Sequence, residues 1–575
     1  MKQFFLIPSI IFALFLHTRH NQGVLVDAFA LSQRSILQYD FVRISTRIFE
    51  KDDENGICDI GGLRNVRKRD GAKTNPSRRD MLQNILLSAA SLPVNAAIAV
   101  TDSSSVSVVN VPKYDSDVSW PLGKVAFSLL PLAGTSSRRA TVMETIVPGE
   151  IWTFDQIQGV VNVNVPVRMT VVKLSPEAGG GLFVYNPLAP TLQLMKMVHE
   201  LEVMHGPVRH IVLGTVALEH KATFGPFAQN YPDAEVWIQP GQWSFPLTIP
   251  IELSGVIQRG QRLHEIPNSE DGRVSKGYQY YNKLPEWDVD FEYETLGPLK
   301  FKSVGAFSET AFFHKPTRTL LVTDCVIEVT DTPPQIIQED PRAMLFHARD
   351  SIDEIVTDTP ETRAKGWRRM VQFGLVFFPS QIDVVSFGGA IGQASKIDSR
   401  MKPLGEDAVP FSLYPWTWRG DSVRIVLEEL LFHRPKSIGN LIFLFWTHQD
   451  LRNFEAISKA GLFCPPILTK LILDREPEAT LAWVDDICNK FDFQRVIPCH
   501  LNNNIKATPK EFRKAFDVLE NNPKSGKEIS PQRPLAEDLA LLQKASDLLT
   551  SFNVVGPSKV CDGEPARILG RFKSQ

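Results

Sequence analysis

Four residues could carry chemistry, and each stands where an apolar run stops. Glu219 and His220 lie side by side shortly after Ile211-Val212-Leu213 and Gly214, Asp324 follows the run from Thr319 to Thr323, and His500 follows Arg495-Val496-Ile497-Pro498-Cys499. Strand ends that open into polar loops are where site residues concentrate. Carboxylate and imidazole are groups for proton transfer or metal coordination. A lone Glu-His pair reads as readily as a surface or core feature. Asp324 and His500 are what set this pair apart.

The elements that position them follow from periodicity. Residues 161–174 alternate with period two, Gly179-Gly180-Gly181 makes a turn, and 182–185 returns as a strand. Leu192, Met195, Val198 and Leu201 recur at helical spacing behind Thr191 as N-cap, which predicts a helix over 191–205. Strand 210–214 then leads into the Glu219-His220 loop, which turns at Gly225-Pro226. Strands follow at 235–239, 288–296 and 299–305, with a turn-rich stretch at 247–285. A hairpin over 309–323 carries His314 in its turn and ends at Asp324. Shorter strands are predicted at 106–112, 124–131 and 150–154, and helices near 340–350, 361–377, 421–433, 475–489, 508–521 and 535–552. Pro498 has no amide hydrogen for a ladder, so the last strand should stop pairing there. This mixture predicts an α/β fold of two sheets covered by helices. It forms one large domain over 101–555, with an insertion around 387–417 and a tail from 556 to 575.

Composition narrows the function. The chain has 575 residues with a net charge of −3, ordinary for a globular protein and against a dedicated nucleic-acid binder. Its cysteines, Cys58, Cys325, Cys464, Cys488, Cys499 and Cys561, contain no CxxC pair, which argues against a zinc ribbon.

The N-terminal segments read as targeting signals. Residues 1–30 form a signal peptide with a basic start and an apolar run from Phe4 to Leu16, too short for a comfortable membrane span. Asp27-Ala28-Phe29-Ala30-Leu31 resembles the junction of plastid presequences in algae with secondary plastids, and 31–76 is a transit-like segment with no periodic apolar face. Ser77-Arg78-Arg79-Asp80-Met81-Leu82, an apolar stretch and Ala97-Ile98-Ala99 look like a twin-arginine signal over 77–99. In tandem these predict a plastid protein delivered to the thylakoid lumen, with no integral membrane segment in the mature chain. An amphipathic helix that starts with two arginines is the competing reading of 77–99.

The order of helix, strand, Glu-His, hairpin ending in Thr-Asp, and late strand ending in His resembles the metallo-β-lactamase-like fold, an αββα sandwich. The phrases Glu219-His220-Lys221, Glu309-Thr310-Ala311-Phe312-Phe313-His314, Thr323-Asp324, Gly366-Trp367-Arg368-Arg369 and Ile497-Pro498-Cys499-His500 resemble one branch of it, the DUF4336 family. The superfamily's HxHxDH motif feeds a two-metal centre. Laid on this chain, Glu219 takes the acidic place and His220 the last histidine, while Thr215 and Ala217 occupy the other two histidine positions and Gly305 falls near a third. Asp324 matches the bridging aspartate and His500 the final histidine.

The resemblance therefore implies a mononuclear set of Glu219, His220, Asp324 and His500, suited to one divalent metal: zinc, iron or manganese. Lys221, His314, Trp367, Arg368, Arg369 and Cys499 are candidates to surround it or line a pocket. Four protein ligands fill a zinc tetrahedron and make a structural site, whereas a five- or six-coordinate metal keeps a position for water. The expected function is hydrolysis of a small ester, thioester or phosphoester, without the bridging hydroxide of a two-metal route. The alternative is an inactive module that keeps the fold to bind a ligand or partner, its polar remnants merely hydrogen-bonded. His347, His433 and His448 read as structural.

Overall fold

The period-two segment is the third strand of a seven-stranded sheet. β1 (Val142–Val147), β2 (Ile151–Val160), β3 (Val163–Lys173) and β4 (Leu182–Tyr185) run antiparallel in turn. β5 (Val208–Leu213), β6 (Glu235–Ile238) and β7 (Leu263–Glu265) extend the sheet in parallel from β4. Parallel neighbours need crossovers, supplied by α1 (Leu192–His205) between β4 and β5 and by α2 (Leu218–Ala228) between β5 and β6. Gly179, Gly180 and Gly181 have φ of 86°, 67° and 78°, a left-handed run that favours glycine, and a Cβ on Gly181 would come within 2.4 Å of Pro207 O. Thr191 caps α1 as predicted, its Oγ1 accepting from Leu194 N at 3.2 Å.

A second sheet has four strands in the order β13-β10-β9-β8: β8 (Phe291–Lys300), β9 (Ala306–His314), β10 (Thr319–Leu321) and, parallel to β10, β13 (Arg495–Ile497). A separate antiparallel pair joins β11 (Ile382–Val384) to β12 (Trp416–Trp418). This computed structural model describes residues 139–160, 163–242, 263–267, 285–300, 302, 305–350, 354–376, 382–384, 416–418, 449–520 and 536–559. The N-terminal signals, the strands read at 106–112 and 124–131, the helix at 421–433, most of 247–285, most of the insertion at 387–417 and the tail from 560 lie outside the described residues.

Strand alternation sorts the side chains into layers. Phe183, Tyr185, Val212 and Trp237 of the first sheet meet Phe291, Phe312, Leu321 and Ile497 of the second in one core. The opposite face of the first sheet, with Phe154, Val171, Val184 and Ile211, is covered by Leu194 and Val198 of α1 and by Phe224 and Phe227 of α2. The opposite face of the second, with Ala311, Phe313, Leu320 and Val496, is covered by helices later in the chain. These include α8 (Pro477–Lys490) through Leu481 and Val484, and α9 (Pro509–Ala515) through Phe512. The predicted αββα sandwich is the observed one.

Between the sheets and these helices come α3 (Gln335–Glu339), α4 (Arg342–Ala348), α5 (Pro360–Val376), α6 (Gln449–Ser458) and α7 (Pro466–Leu471); α10 (Ala536–Ser551) closes the ordered part. α5 lies so close to α4 that a Cβ on Gly366 would come within 1.9 Å of the Met344 carbonyl oxygen.

Two expectations are corrected. Gly225-Pro226 is not a turn, because α2 runs through it. Phe224 and Phe227 are both fully buried on either side. At about 1.5–3 kcal/mol for each such side chain, their burial offsets the ~3 kcal/mol that an internal proline costs a helix. The strands read at 288–296 and 299–305 are instead a 3₁₀ turn over Glu286–Val289 followed by the single strand β8.

Candidate metal centre

The four residues come from three chain segments that meet at one end of the sandwich. After β5, Thr310 N donates to Gly214 O (2.7 Å) and Val216 N to Ser308 O (3.2 Å). The chain thereby crosses from the first sheet to the second before α2 begins. Glu219 and His220 are in the first turn of that helix and not in a loop, which corrects the sequence reading. A carboxylate is favoured there by the helix dipole. Their backbone is held from β2, where Gln158 Nε2 donates to Glu219 O at 3.1 Å.

Asp324 follows β10. Its amide and that of Thr323 donate to the carboxylate of Glu309 on β9, at 3.1 and 2.7 Å. His500 follows β13, which ends at Ile497 as the proline predicted. The His500 ring is oriented by Nδ1 donating to Pro166 O on β3 at 2.8 Å, which leaves Nε2 to face Asp324 Oδ1 at 2.8 Å. His220 Nε2 approaches the same oxygen at 3.4 Å.

One ligand atom from each of Glu219, His220, Asp324 and His500 lies within 4.8 Å of all the others. Bonds of about 2.0–2.2 Å in a tetrahedral site put ligand atoms roughly 3.4 Å apart. Side-chain adjustment of an ångström or so closes that gap. The electrostatics also call for a cation. Burial pushes the Glu219 carboxyl up, and the nearby charge of Asp324 adds to it. Burial acts on Asp324 in the same direction, but the two imidazoles outweigh it and hold that carboxyl well below its usual range. Burial lowers the His500 imidazole, yet its bond to Asp324 prevails and raises it. Two nitrogens and two oxygens around crowded carboxylates fit a divalent metal.

Thr215 and Gly305, which stand at expected histidine positions, are not part of the cluster. Thr215 is fully buried and accepts from Ala217 N through Oγ1 at 3.1 Å, and Gly305 is exposed.

Of the surrounding candidates, Cys499 and Lys221 lie close by but are engaged. The Cys499 thiol is buried, pushed up by desolvation, and accepts from Asn186 Nδ2 at 3.3 Å. Lys221 Nζ donates to Gln242 O at 2.5 Å, and burial lowers its pKa to about 8. His314 is not part of the site. It pairs with Thr319 at the far end of the β9–β10 hairpin and bonds Thr317 Oγ1 at 2.8 Å. Trp367 and Arg369 are also corrected, since they serve the helix contact at Gly366. Trp367 Nε1 donates to Thr330 O (2.9 Å), and Arg369 donates to the carbonyls of His347, Ala348 and Arg349 at the end of α4 and to Asp350. Arg368 is half-buried on the same helix, and no hydrogen bond among the described residues ties its side chain to the four. His347 is structural as read, accepting from Trp418 Nε1 at 3.1 Å.

Sequence reasoning missed the residues that hold the site. Glu309 is fully buried, and its carboxyl is raised to about 7 by burial and by Asp324. Asn186, at φ 48°, ties three strand ends together: its Oδ1 accepts from Gly214 N, and its Nδ2 reaches Thr323 Oγ1 and Cys499 Sγ. Arg168 on β3 is fully buried and binds the carbonyls of Pro498 and Leu501, both at 2.6 Å, and the Asp155 carboxylate. An acid, an amide and an arginine inside otherwise apolar runs were the available signal.

The αββα sandwich thus gathers imidazole and carboxylate donors at one end, in a group that could hold a metal ion. The family described as Domain of unknown function (DUF4336) matches residues 148–435 and 433–518, and the chain belongs to that family. Among solved structures, the chain is similar to a metallo-beta-lactamase from Pontibacter korlensis. The identity is 10% and the TM-score 0.22, over 42% of this chain and 89% of that one. No curated protein matches the sequence.

Proposed function

We propose that the chain is a metal-dependent hydrolase with a single divalent ion held by Glu219, His220, Asp324 and His500, acting on a small ester, thioester or phosphoester. The uneven exposure of the cluster carries this reading. The His220 side chain is 0% exposed while those of Asp324 and His500 are 14% and 15% exposed, so the cluster is buried but not sealed from solvent. An ion there supplies Lewis acidity, polarising a carbonyl or phosphoryl oxygen. Asp324 is kept ionised by the imidazoles, whereas the Glu219 carboxyl is pushed up by burial and by Asp324. A bound cation would relieve that crowding and hold both carboxylates as anionic ligands.

The second reading is a binding module, favoured by the count of four protein donors, which fill a zinc tetrahedron. The test is a panel of acetyl esters, acyl thioesters and phosphomonoesters offered to the chain loaded with zinc, iron or manganese. Turnover of one class that a chelator abolishes is expected. Stoichiometric metal with no turnover of any class would favour the module instead.

The tandem N-terminal signals support a plastid location, in the thylakoid lumen. A fluorescent fusion that stays in the cytosol would end that part of the proposal. Among the described residues no helix is long and apolar enough to cross a membrane.

A further inference from the structure

Two polar atoms beside the cluster are buried without a hydrogen-bond partner among the described residues, and their chemistries are complementary. One is His220 Nδ1, on a residue 1% exposed whose Nε2 faces Asp324. The other is Gln158 Oε1, on a residue 5% exposed whose Nε2 already donates to the Glu219 carbonyl. Gln158 is thus anchored on the peptide that joins Glu219 to His220, with its acceptor idle.

An imidazole that gives one nitrogen to a metal carries its proton on the other, and that N–H almost always finds an acceptor. His500 has such an acceptor in Pro166 O. Among the described residues His220 has none, and the idle acceptor anchored next to it is the Gln158 amide oxygen. We propose that Gln158 is the positioning residue for His220: in the metal-loaded protein its Oε1 accepts from His220 Nδ1–H and fixes the ring with Nε2 towards the ion. The inference rests on the metal reading above.

Zinc affinity, measured by competition with a chromophoric chelator, separates this role from simple support of the Glu219 carbonyl. Gln158→Leu removes the acceptor and should weaken zinc binding about 10–100-fold. Gln158→Glu keeps an acceptor while losing the donor to Glu219, and should bind zinc within about threefold of the parent or more tightly. Equal weakening in both variants would overturn the proposal. A second readout guards against the added charge of the glutamate. In zinc-loaded, ¹⁵N-histidine-labelled protein, His220 should show a protected Nδ1–H that is lost in Gln158→Leu. A His220 signal metallated through Nδ1 would refute the assignment. If the parent chain takes up no zinc at all, the metal reading itself fails, an outcome distinct from either of these.

Discussion

Asp324→Asn should leave the chain folded and unable to keep a stoichiometric metal. The Glu309 carboxylate holds this segment through the main-chain amides of Thr323 and Asp324, which the substitution retains. What disappears is the anion that both imidazoles face. Structural zinc sites bind with about 10–16 kcal/mol over four ligands, so losing one charged ligand should weaken affinity by about 100-fold or more.

The same substitution should alter the pH dependence of the metal-free chain. Asp324 is depressed, so its pairing stabilises the fold above the unfolded carboxyl value of about 4 and is lost as pH falls through the folded value. His500 is raised, so its share is complete below about 6.5 and is lost as pH climbs through its folded value. Ionising Glu309, raised to about 7, also costs stability as pH rises towards neutrality. Urea unfolding of the metal-free parent should therefore show greatest stability at about pH 4 to 5 and decline as pH rises towards neutrality. In Asp324→Asn that maximum should flatten. An unchanged profile would mean that the imidazole pairing contributes nothing.

Arg168→Met should cost about 3–5 kcal/mol, because it leaves the buried Asp155 carboxylate without its partner. Asp155 and Arg168 are both almost completely buried, with Nε to Oδ1 at 2.9 Å. The guanidinium also satisfies the Pro498 and Leu501 carbonyls on either side of His500, and it lies within 3.3 Å of Asn502 O. Urea denaturation should show the loss as a shift in midpoint with little change in slope. A shift worth less than about 1 kcal/mol would place Arg168 among ordinary surface contacts.

The ligands were legible for a physical reason. Each ends an apolar run, and a strand end fixes a backbone while freeing a side chain, so Asp324 and His500 could be read from the runs before them. Phe312 pointing inward and Phe313 outward follow from the same period of two, which made the sandwich readable as well. The helical start at Glu219 was hidden because Gly225-Pro226 is a local turn signal, while the burial of Phe224 and Phe227 that overrides it is tertiary. Arg168 and Glu309 were hidden more deeply. Arg168 meets its carbonyl partners across some 330 residues of chain, and Glu309 acts on backbone amides that carry no mark in the sequence. The arginines of the Gly366 phrase misled in the opposite sense, since a helix contact can demand basic side chains without any ligand.

The most direct test is the metal content of the purified full chain, beside His220→Ala and His500→Ala, after exposure to zinc, iron and manganese in turn. A single equivalent of divalent metal per chain is expected in the parent, with loss of that metal in both variants. A folded parent chain that retains no metal, or variants that retain it undiminished, would rule out the single-metal site.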